Sequence, residues 1–428
     1  MGLKIKKVNY FFDSFMILLN ISNSYSIIPY LFFFQYIRGV NSAIIFLLNV
    51  AYIIFRFRKK VSLGFKNPMF LLFILINVFN YLFSLLTNTF GIGTVPFLFV
   101  NITFYIILIN LFYEYLNKYS FDKSLWLIFR GYIWFSLIGL FSVLSLFFLV
   151  KIFNVNPMVN DIGSRMDLFA PNLKNPSTNY YFPYNISVFL QSKDIRIPFF
   201  QNEGIITGIF HEPHTATFLL TPALFVLLYF LKSRLKKITL IFLFTLFILI
   251  QASTTNIIGV LIVVSVFYFN KYKRNIILLS LLILGGIVSF LMINPEIYSF
   301  IVLRFSSGSA SYSLTTLKFP FIPKTLIGSS FYDLSYIDTY WNVADKTKNV
   351  GYVMFFLNLG FLILFAVNLV KSIVRLKKRR LLAIVPLYFL LHSTKIAMYS
   401  YSLSYLILII FVIYILSNYK ENYVAKID

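Results

Sequence analysis

Cysteine is absent from this chain of 428 residues, and charged side chains are scarce. Without cysteine, disulfides, thiolate nucleophiles and Cys-ligated metal sites are all excluded. Only 12% of the residues are charged, 38 of them basic and 14 acidic, and the chain has 3 histidines. So few charged side chains cannot cover the surface of a water-soluble globule of this length, which excludes that class of protein.

Hydrophobic residues make up 59% of the chain and aromatic residues 20%. A helix needs about 20 apolar residues to cross the hydrocarbon core of a bilayer. We therefore expect an all-α polytopic membrane protein, with residues 1–428 forming a single integral membrane domain of about twelve transmembrane helices. The candidate runs are 10–34, 40–55, 68–86, 96–115, 125–150, 213–231, 238–251, 256–269, 276–293, 350–370, 381–398 and 401–416.

The basic residues separate the apolar runs instead of clustering on one soluble face, which argues against nucleic acid as a partner. Twelve crossings from an inside N-terminus place 25 of the 38 Lys and Arg residues on the cytoplasmic side, and the short outer loops carry only Arg38. This asymmetry is the positive-inside rule, and it predicts that both termini are cytoplasmic.

Two predicted outer loops, 151–212 and 294–349, are too long to be simple connections. Loops of more than about 15 residues are usually functional or disordered, and these are rich in aromatic residues, so we expect them to fold over the membrane surface. They hold nine of the 14 acidic residues: Asp161, Asp167, Asp194, Glu203, Glu212, Glu296, Asp333, Asp338 and Asp345.

The segment Phe210-His211-Glu212-Pro213-His214 ends the first long loop and opens an apolar run. Proline suits the first position of a helix, and imidazole and carboxylate groups can exchange protons near neutral pH. Glu212, His211 and His214 are therefore the candidate catalytic residues. Glu212 could instead simply cap the helix. Pro213 separates the histidines, so the segment does not match a zinc-binding helix and we predict no metal.

Candidate substrate-binding residues lie in both loops and in the eleventh run. Arg196 and Arg304 could each hold a phosphate with a planar guanidinium group, although solvated loop charges are the alternative. His392 and Lys395 lie one helical turn apart inside the eleventh run. Ionisable groups are costly within a bilayer, so we expect both to face the interior of the bundle.

The segment Gly208-Ile209-Phe210-His211-Glu212-Pro213-His214-Thr215-Ala216 resembles an element of the O-antigen and capsular polysaccharide polymerase family. Members often show a Gly-x-Phe-x-Glu-Pro-x-x-x-Ala-like element after a long outer loop. The layout is similar too, with Ile327-Gly328-Ser329-Ser330, Asp338 and Asn349-Val350-Gly351 leading into the tenth run. Members tend to carry arginine just before the first glycine, whereas here Ile205 and Ile206 lie there and the nearest arginine is Arg196.

The resemblance implies a metal-independent glycosyltransferase of the bacterial cytoplasmic membrane that needs no cofactor. Its substrate would be an undecaprenyl-pyrophosphate-linked oligosaccharide in the outer leaflet, with a chain-length regulator, a flippase and membrane lipids as further partners. Glu212 or a neighbouring histidine would take a proton from the acceptor hydroxyl, and Arg196 and Arg304 would stabilise the departing pyrophosphate. Asp338, His392 and Lys395 would contact the substrate.

Two other functions remain open from the sequence. An O-antigen ligase would use the same donor but deliver the glycan to a different acceptor. A flippase or transporter for lipid-linked oligosaccharides would also have many spans with intramembrane charges. The two large charged loops favour the polymerase over a transporter.

Overall fold

The structure is a computed structural model that is mainly helical over the residues it describes. These are 2–23, 26, 28–33, 38–57, 61–63, 66–86, 95–153, 178–181, 187–190, 205–206, 208–210, 213–251, 256, 259–264, 352–375, 380–392 and 404–418. The helices are α1 Gly2–Ser22, α2 Ile28–Phe33, α3 Arg38–Phe57, α4 Pro68–Leu86, α5 Val95–Leu116, α6 Phe121–Phe147, α7 Pro213–Phe230, α8 Arg234–Gln251, α9 Tyr352–Arg375, α10 Ile384–His392 and α11 Ser404–Asn418. The π-helical turn Phe148–Ile152 continues α6, and the 3-10 turn Arg380–Ala383 precedes α10.

Three of the described helical segments are long and apolar enough to cross a membrane: Gly39–Phe57, Val95–Leu116 and Phe121–Phe147. The helical class is thus confirmed, and these segments are consistent with a membrane protein. The predicted run 68–86 coincides with α4, and α7 begins at Pro213 as predicted. The total of twelve spans stays a prediction, because the ninth run and the second long loop lie outside the described residues.

The single helix predicted over 10–34 is wrong, because α1 ends at Ser22 and α2 begins only at Ile28. The Ser26 hydroxyl donates to the Ser22 carbonyl at 2.6 Å and accepts from the Ile28 N–H at 3.4 Å. Serine and asparagine side chains offer the backbone such local alternatives to helical hydrogen bonds. The polar cluster Ser22-Asn23-Ser24-Tyr25-Ser26 therefore interrupts an otherwise apolar sequence.

Helices α5 and α6 form the centre of the bundle as an antiparallel pair joined by the turn at 117–120. Helices α3 and α11 pack on α5, while α1 and α7 pack on α6. Helix α10 packs on α7 and α11, and α9 packs on α4 and α11. Large aromatic side chains in the middle of this assembly are fully buried, among them Tyr105, Phe112, Phe129, Tyr132 and Tyr405.

Buried polar side chains join α1, α3 and α5 within the apolar bundle. Asn20 and Asn49 exchange two hydrogen bonds of 2.8 Å, and the Asn49 amide also donates to the Thr103 hydroxyl at 3.0 Å. Nearer the end of α1, the Asn23 amide donates to the Ser42 hydroxyl at 3.1 Å. In a lipid environment apolar contact alone gives little preference for one helix partner, so such polar pairs help to select the neighbours and their register.

The first predicted outer loop contains a small antiparallel sheet that the sequence analysis did not predict. Its strands are β1 Thr178–Tyr181, β2 Ser187–Leu190 and β3 Ile205–Ile206, in the order β1-β2-β3. Thr178 pairs with Leu190 and Phe189 pairs with Ile206. Strands β2 and β3 contact α6, so the sheet leads the chain directly to the segment around Gly208.

Candidate functional site

The described bundle has two chemically different ends. The Asp13 end contains Asp13, Arg56 and Glu114, close to the turn that joins α5 to α6. The Gly208 end contains Gly208, Phe210 and Pro213 and lies against the last two turns of α6. At 1.5 Å per residue, about 30 Å of α6 separates the two ends. The motif singled out by sequence thus belongs to the Gly208 end.

Gly208 has a positive φ of 63°, in the left-handed region that favours glycine. It also lies so close to α6 that an added Cβ would overlap the Ser142 hydroxyl and lie 2.9 Å from Val143 Cγ2. The next residue is held by a hydrogen bond, because the Ile209 N–H donates to Ser142 Oγ at 3.2 Å. Glycine is therefore required here by both conformation and space.

Phe210, the residue before His211, is completely buried. Its ring lies edge-on to that of Phe135, with centroids 5.7 Å apart and planes at 89°. The approach depends on Gly139, since an added Cβ at that position would be 2.8 Å from Phe210 Cε2. Phe210 also forms an antiparallel β-bridge with Ser26, in the break between α1 and α2. The chain entering the His211–Glu212 pair is thus fixed on both α6 and the α1–α2 connection.

Helix α7 fixes the chain after the same pair. Proline at its first position costs no helical hydrogen bond, since the first N–H groups of a helix have no intrahelical partner. Within α7, Pro222 removes the N–H that would bond to the Phe218 carbonyl. The Tyr132 hydroxyl donates to the adjacent Leu219 carbonyl at 2.6 Å and lies 3.2 Å from the Tyr405 hydroxyl. Buried tyrosines of α6 and α11 thus support α7 beside its internal proline.

Helix α10, which carries His392, packs against α7. Phe218 contacts Phe389 with ring centroids 5.5 Å apart. His214 lies one turn before Phe218 along α7, and His392 lies one turn after Phe389 along α10.

Most of the predicted site side chains lie outside the described part of the structure. Pro213 begins α7 as predicted, and the backbones of His214 and His392 belong to α7 and α10. The side chains of these two histidines lie outside the described part of the structure. The other predicted site residues lie wholly outside the described ranges: Arg196, His211, Glu212, Arg304, Asp338 and Lys395.

The Asp13 end is a network of charges that the sequence analysis did not single out. Asp13 is 1% exposed, accepts hydrogen bonds from the hydroxyls of Tyr52 and Tyr115, and pairs with Arg56 at 3.2 Å. Arg56 also pairs with Glu114 at 2.8 Å, and Glu114 with Lys118 at 2.6 Å. A signal was present in the sequence, because Ser42, Asn49 and Arg56 are spaced seven residues apart and repeat on one face of α3.

The described residues at the Gly208 end present neutral polar groups in a closely packed setting. Across the described ranges, no group of three His, Asp or Glu residues is close enough to hold a metal ion. The features that mark this end are the left-handed Gly208, the buried Phe210 and the helix start at Pro213. Searches against protein-family models, curated proteins and solved structures give no match for this chain.

Proposed function

We propose that this protein is a polysaccharide polymerase of the bacterial cytoplasmic membrane, with both termini in the cytoplasm. It would transfer a growing glycan from an undecaprenyl-pyrophosphate carrier onto an incoming lipid-linked repeat unit at the outer leaflet. The Gly208 end would then face outward and the Asp13 end inward. A chain-length regulator and a flippase would be its protein partners.

The observation that carries the proposal is the anchoring of the chain on both sides of His211 and Glu212. Gly208 and Phe210 are locked against α6, and Pro213 starts a helix that is itself held by Tyr132. Catalytic groups must be held within a fraction of an ångström of a productive geometry, and packed helices do this better than free loops. A carboxylate that served only as a cap would not require such close packing of Gly208 and Phe210 in the chain before it.

The packing of α7 against α10 supports a role for the second group of predicted residues. Phe218 touches Phe389, and His214 and His392 each lie one helical turn from this contact. Lys395 follows His392 by three residues. We therefore propose that His392 and Lys395 line the same cavity as the His211–His214 segment and bind substrate there.

In the proposed reaction an acceptor hydroxyl of the incoming repeat unit attacks the anomeric carbon of the donor glycan. The new glycosidic C–O bond forms as the bond between that carbon and the pyrophosphate oxygen breaks. Glu212, assisted by His211 or His214, takes the hydroxyl proton, and the pyrophosphate leaves with the bonding electron pair. Positioned acid–base groups of this kind contribute about 10²- to 10⁴-fold to the rate.

Negative charge grows on the pyrophosphate as it leaves, so cationic groups stabilise the transition state more than the bound substrate. Arg196 and Arg304 would supply this charge, because guanidinium groups bind phosphate oxygens bidentately and keep their proton. Asp338 would accept hydrogen bonds from sugar hydroxyls. No cofactor enters the proposed reaction.

The test is complementation of a deletion strain with wild type and with Glu212→Gln, followed by gel analysis of the polysaccharide. We expect Glu212→Gln to reduce polymer by at least about 100-fold while lipid-linked single repeats accumulate on the outer leaflet. The matched control is Glu203→Gln, a second carboxylate of the same predicted loop. Polymer of normal length and amount from Glu212→Gln would remove Glu212 from the reaction.

The deletion strain itself separates the other functions. A ligase would leave lipid-linked polymer that is not attached to its final acceptor. A flippase would leave single repeats on the inner leaflet. Single repeats capped and exposed on the outer leaflet are the result expected for a polymerase, and either of the other two results would overturn the proposal.

A further inference from the structure

A pocket of about 510 Å³ opens at the Asp13 end, away from the proposed catalytic site. Its polar lining comes from Lys66, Ser62 and the two tyrosines Tyr113 and Tyr414. The lining therefore combines one cation with three hydroxyl groups, a set that suits the oxygen atoms of a phosphate. Tyr113 lies near the end of α5 and Tyr414 near the end of α11, so the pocket lies beside the C-terminal ends of these two helices.

One wall of the pocket is held in place by a buried asparagine. The Asn110 amide donates to the Ser62 carbonyl at 2.7 Å, and the Asn110 side-chain oxygen accepts the Ser62 N–H at 2.7 Å. This pair of bonds copies the pattern between two β-strands and fixes the segment 61–63 against α5. The pocket is thus preformed by helix packing, which lowers the entropy lost when a ligand binds.

Apolar side chains flank the polar lining. Val61 and Leu63, both in the pocket wall, are 42% and 49% exposed. Apolar groups beside the lysine would not stabilise a bound soluble anion. They would stabilise a bound phospholipid, whose glycerol and acyl portions can pack against them. In the sequence, Arg58, Lys59 and Lys60 directly precede Val61, and clusters of basic residues at the cytoplasmic ends of membrane helices attract anionic head groups.

We propose that this pocket binds the head group of an anionic phospholipid from the predicted cytoplasmic leaflet. Lys66 would pair with the lipid phosphate, the hydroxyls of Ser62, Tyr113 and Tyr414 would donate to its oxygens, and Val61 and Leu63 would contact the acyl chains. The inference stands apart from the polymerase proposal, since about 30 Å of helix separates the pocket from the Gly208 end.

The test uses the purified full-length chain in detergent and native mass spectrometry during titration with phosphatidylglycerol or phosphatidylcholine. We expect phosphatidylglycerol to bind more tightly, and Lys66→Gln to weaken its binding about five-fold, as expected for one basic residue near a lipid surface. The variant Tyr113→Phe/Tyr414→Phe keeps the rings and the charge, and it should also weaken binding. The control is Lys236→Gln, an exposed lysine near the start of α8, which should bind as the wild type does.

Several results would overturn the proposal. They are equal affinity for the two lipids, unchanged binding in Lys66→Gln, and an equal loss in Lys236→Gln. A competition arm adds inorganic phosphate at the same concentration as the lipid. Failure of phosphate to displace phosphatidylglycerol supports a lipid site, whereas full displacement would make it a site for free phosphate. Because Lys66 is exposed, its substitution should leave the thermal stability unchanged.

Discussion

The Asp13 end and the Gly208 end hold different elements of the bundle together by different means. At the Asp13 end α1, α3 and α5 meet through Asp13, Arg56 and Glu114, whose charges are partly or wholly removed from solvent. At the Gly208 end the chain meets α6 through the absence of side-chain atoms at Gly139 and Gly208 and through the burial of Phe210. Ion pairs stabilise the Asp13 end, and close packing against the backbone stabilises the Gly208 end.

The difference suggests a division of tasks between the two ends. A buried ion pair is costly to break, because removing one partner leaves the other charge without compensation. Close packing at glycine is instead sensitive to single atoms, because any added carbon must displace its neighbours. The first arrangement suits the assembly of helices, and the second suits the exact positioning of a short segment such as His211–Glu212.

The largest effect on stability is expected from Asp13→Ala. This change leaves Arg56 with Glu114 as its remaining partner and removes the acceptor of the Tyr52 and Tyr115 hydroxyls. We expect a loss of about 3 kcal/mol in the free energy of unfolding, at the lower end of the range for broken buried pairs. Thermal unfolding in detergent, followed by size-exclusion chromatography, measures it.

The double variant Asp13→Ala/Arg56→Met tests whether the loss of stability in Asp13→Ala comes from leaving Arg56 without its buried partner. It removes both partners, so we expect it to be more stable than the sum of the two single variants predicts. Strict additivity would show that the pair contributes nothing as a pair, and the contrast between the two ends would then fail.

Gly208→Ala is expected to have the next largest effect and to act on activity as well. Alanine here must keep a positive φ, and its methyl group would overlap Ser142. Together these effects should cost about 2 kcal/mol in the free energy of unfolding. For the proposed polymerase, polymer formation should fall along with stability, because Gly208 lies three residues before His211. The matched control is Gly360→Ala on α9, whose added Cβ would lie in ordinary van der Waals contact with Leu72 Cδ2 at 3.8 Å. Equal behaviour of the two variants would contradict the packing argument.

Ser142→Ala should have a smaller effect, about 1 kcal/mol, because the Ile209 N–H loses its acceptor. The comparison is with Ser372→Ala on α9. Both hydroxyls donate to a carbonyl of their own helix at 2.7 Å, but Ser142 in addition accepts from another segment. Thermal unfolding should therefore separate the two variants. If Ser372→Ala were as destabilising as Ser142→Ala, the hydrogen bond from Ile209 would contribute nothing measurable to stability.

Lys118→Gln is expected to have the smallest effect. Lys118, in the turn after α5, is 51% exposed and pairs at 2.6 Å with Glu114, four residues before it. Exposed pairs of this kind contribute about 0.3–0.5 kcal/mol and are weakened by salt. The difference from wild type should therefore disappear in unfolding measurements at high salt, while the effect of Asp13→Ala persists. A loss as large as that of Asp13→Ala would show that burial does not distinguish these charges.

Sequence reasoning succeeded where a local pattern decides the outcome. The run 68–86 became α4, and Pro213 became the first residue of α7, because apolar length and proline position are local properties. It failed for the run 10–34, where the Ser26 side chain hydrogen-bonds to the backbone of Ser22 and Ile28 between the two helices. It also missed the sheet β1-β2-β3, since its short strands pair across connections of 5 and 14 residues, and hydrophobic length carries no information about such pairing.

Composition and apolar runs alone indicated a helical protein suited to a membrane, the proline opening an apolar run indicated a helix start at Pro213, and the family resemblance drew attention to Gly208. Tertiary structure decided that Gly208 and Phe210 lock onto Ser142, Gly139 and Phe135, and that Asp13 meets Arg56 and Tyr115. The reason is physical. Propensity and hydrophobic length act within a few turns of chain, whereas close packing and charge pairing depend on which helices become neighbours.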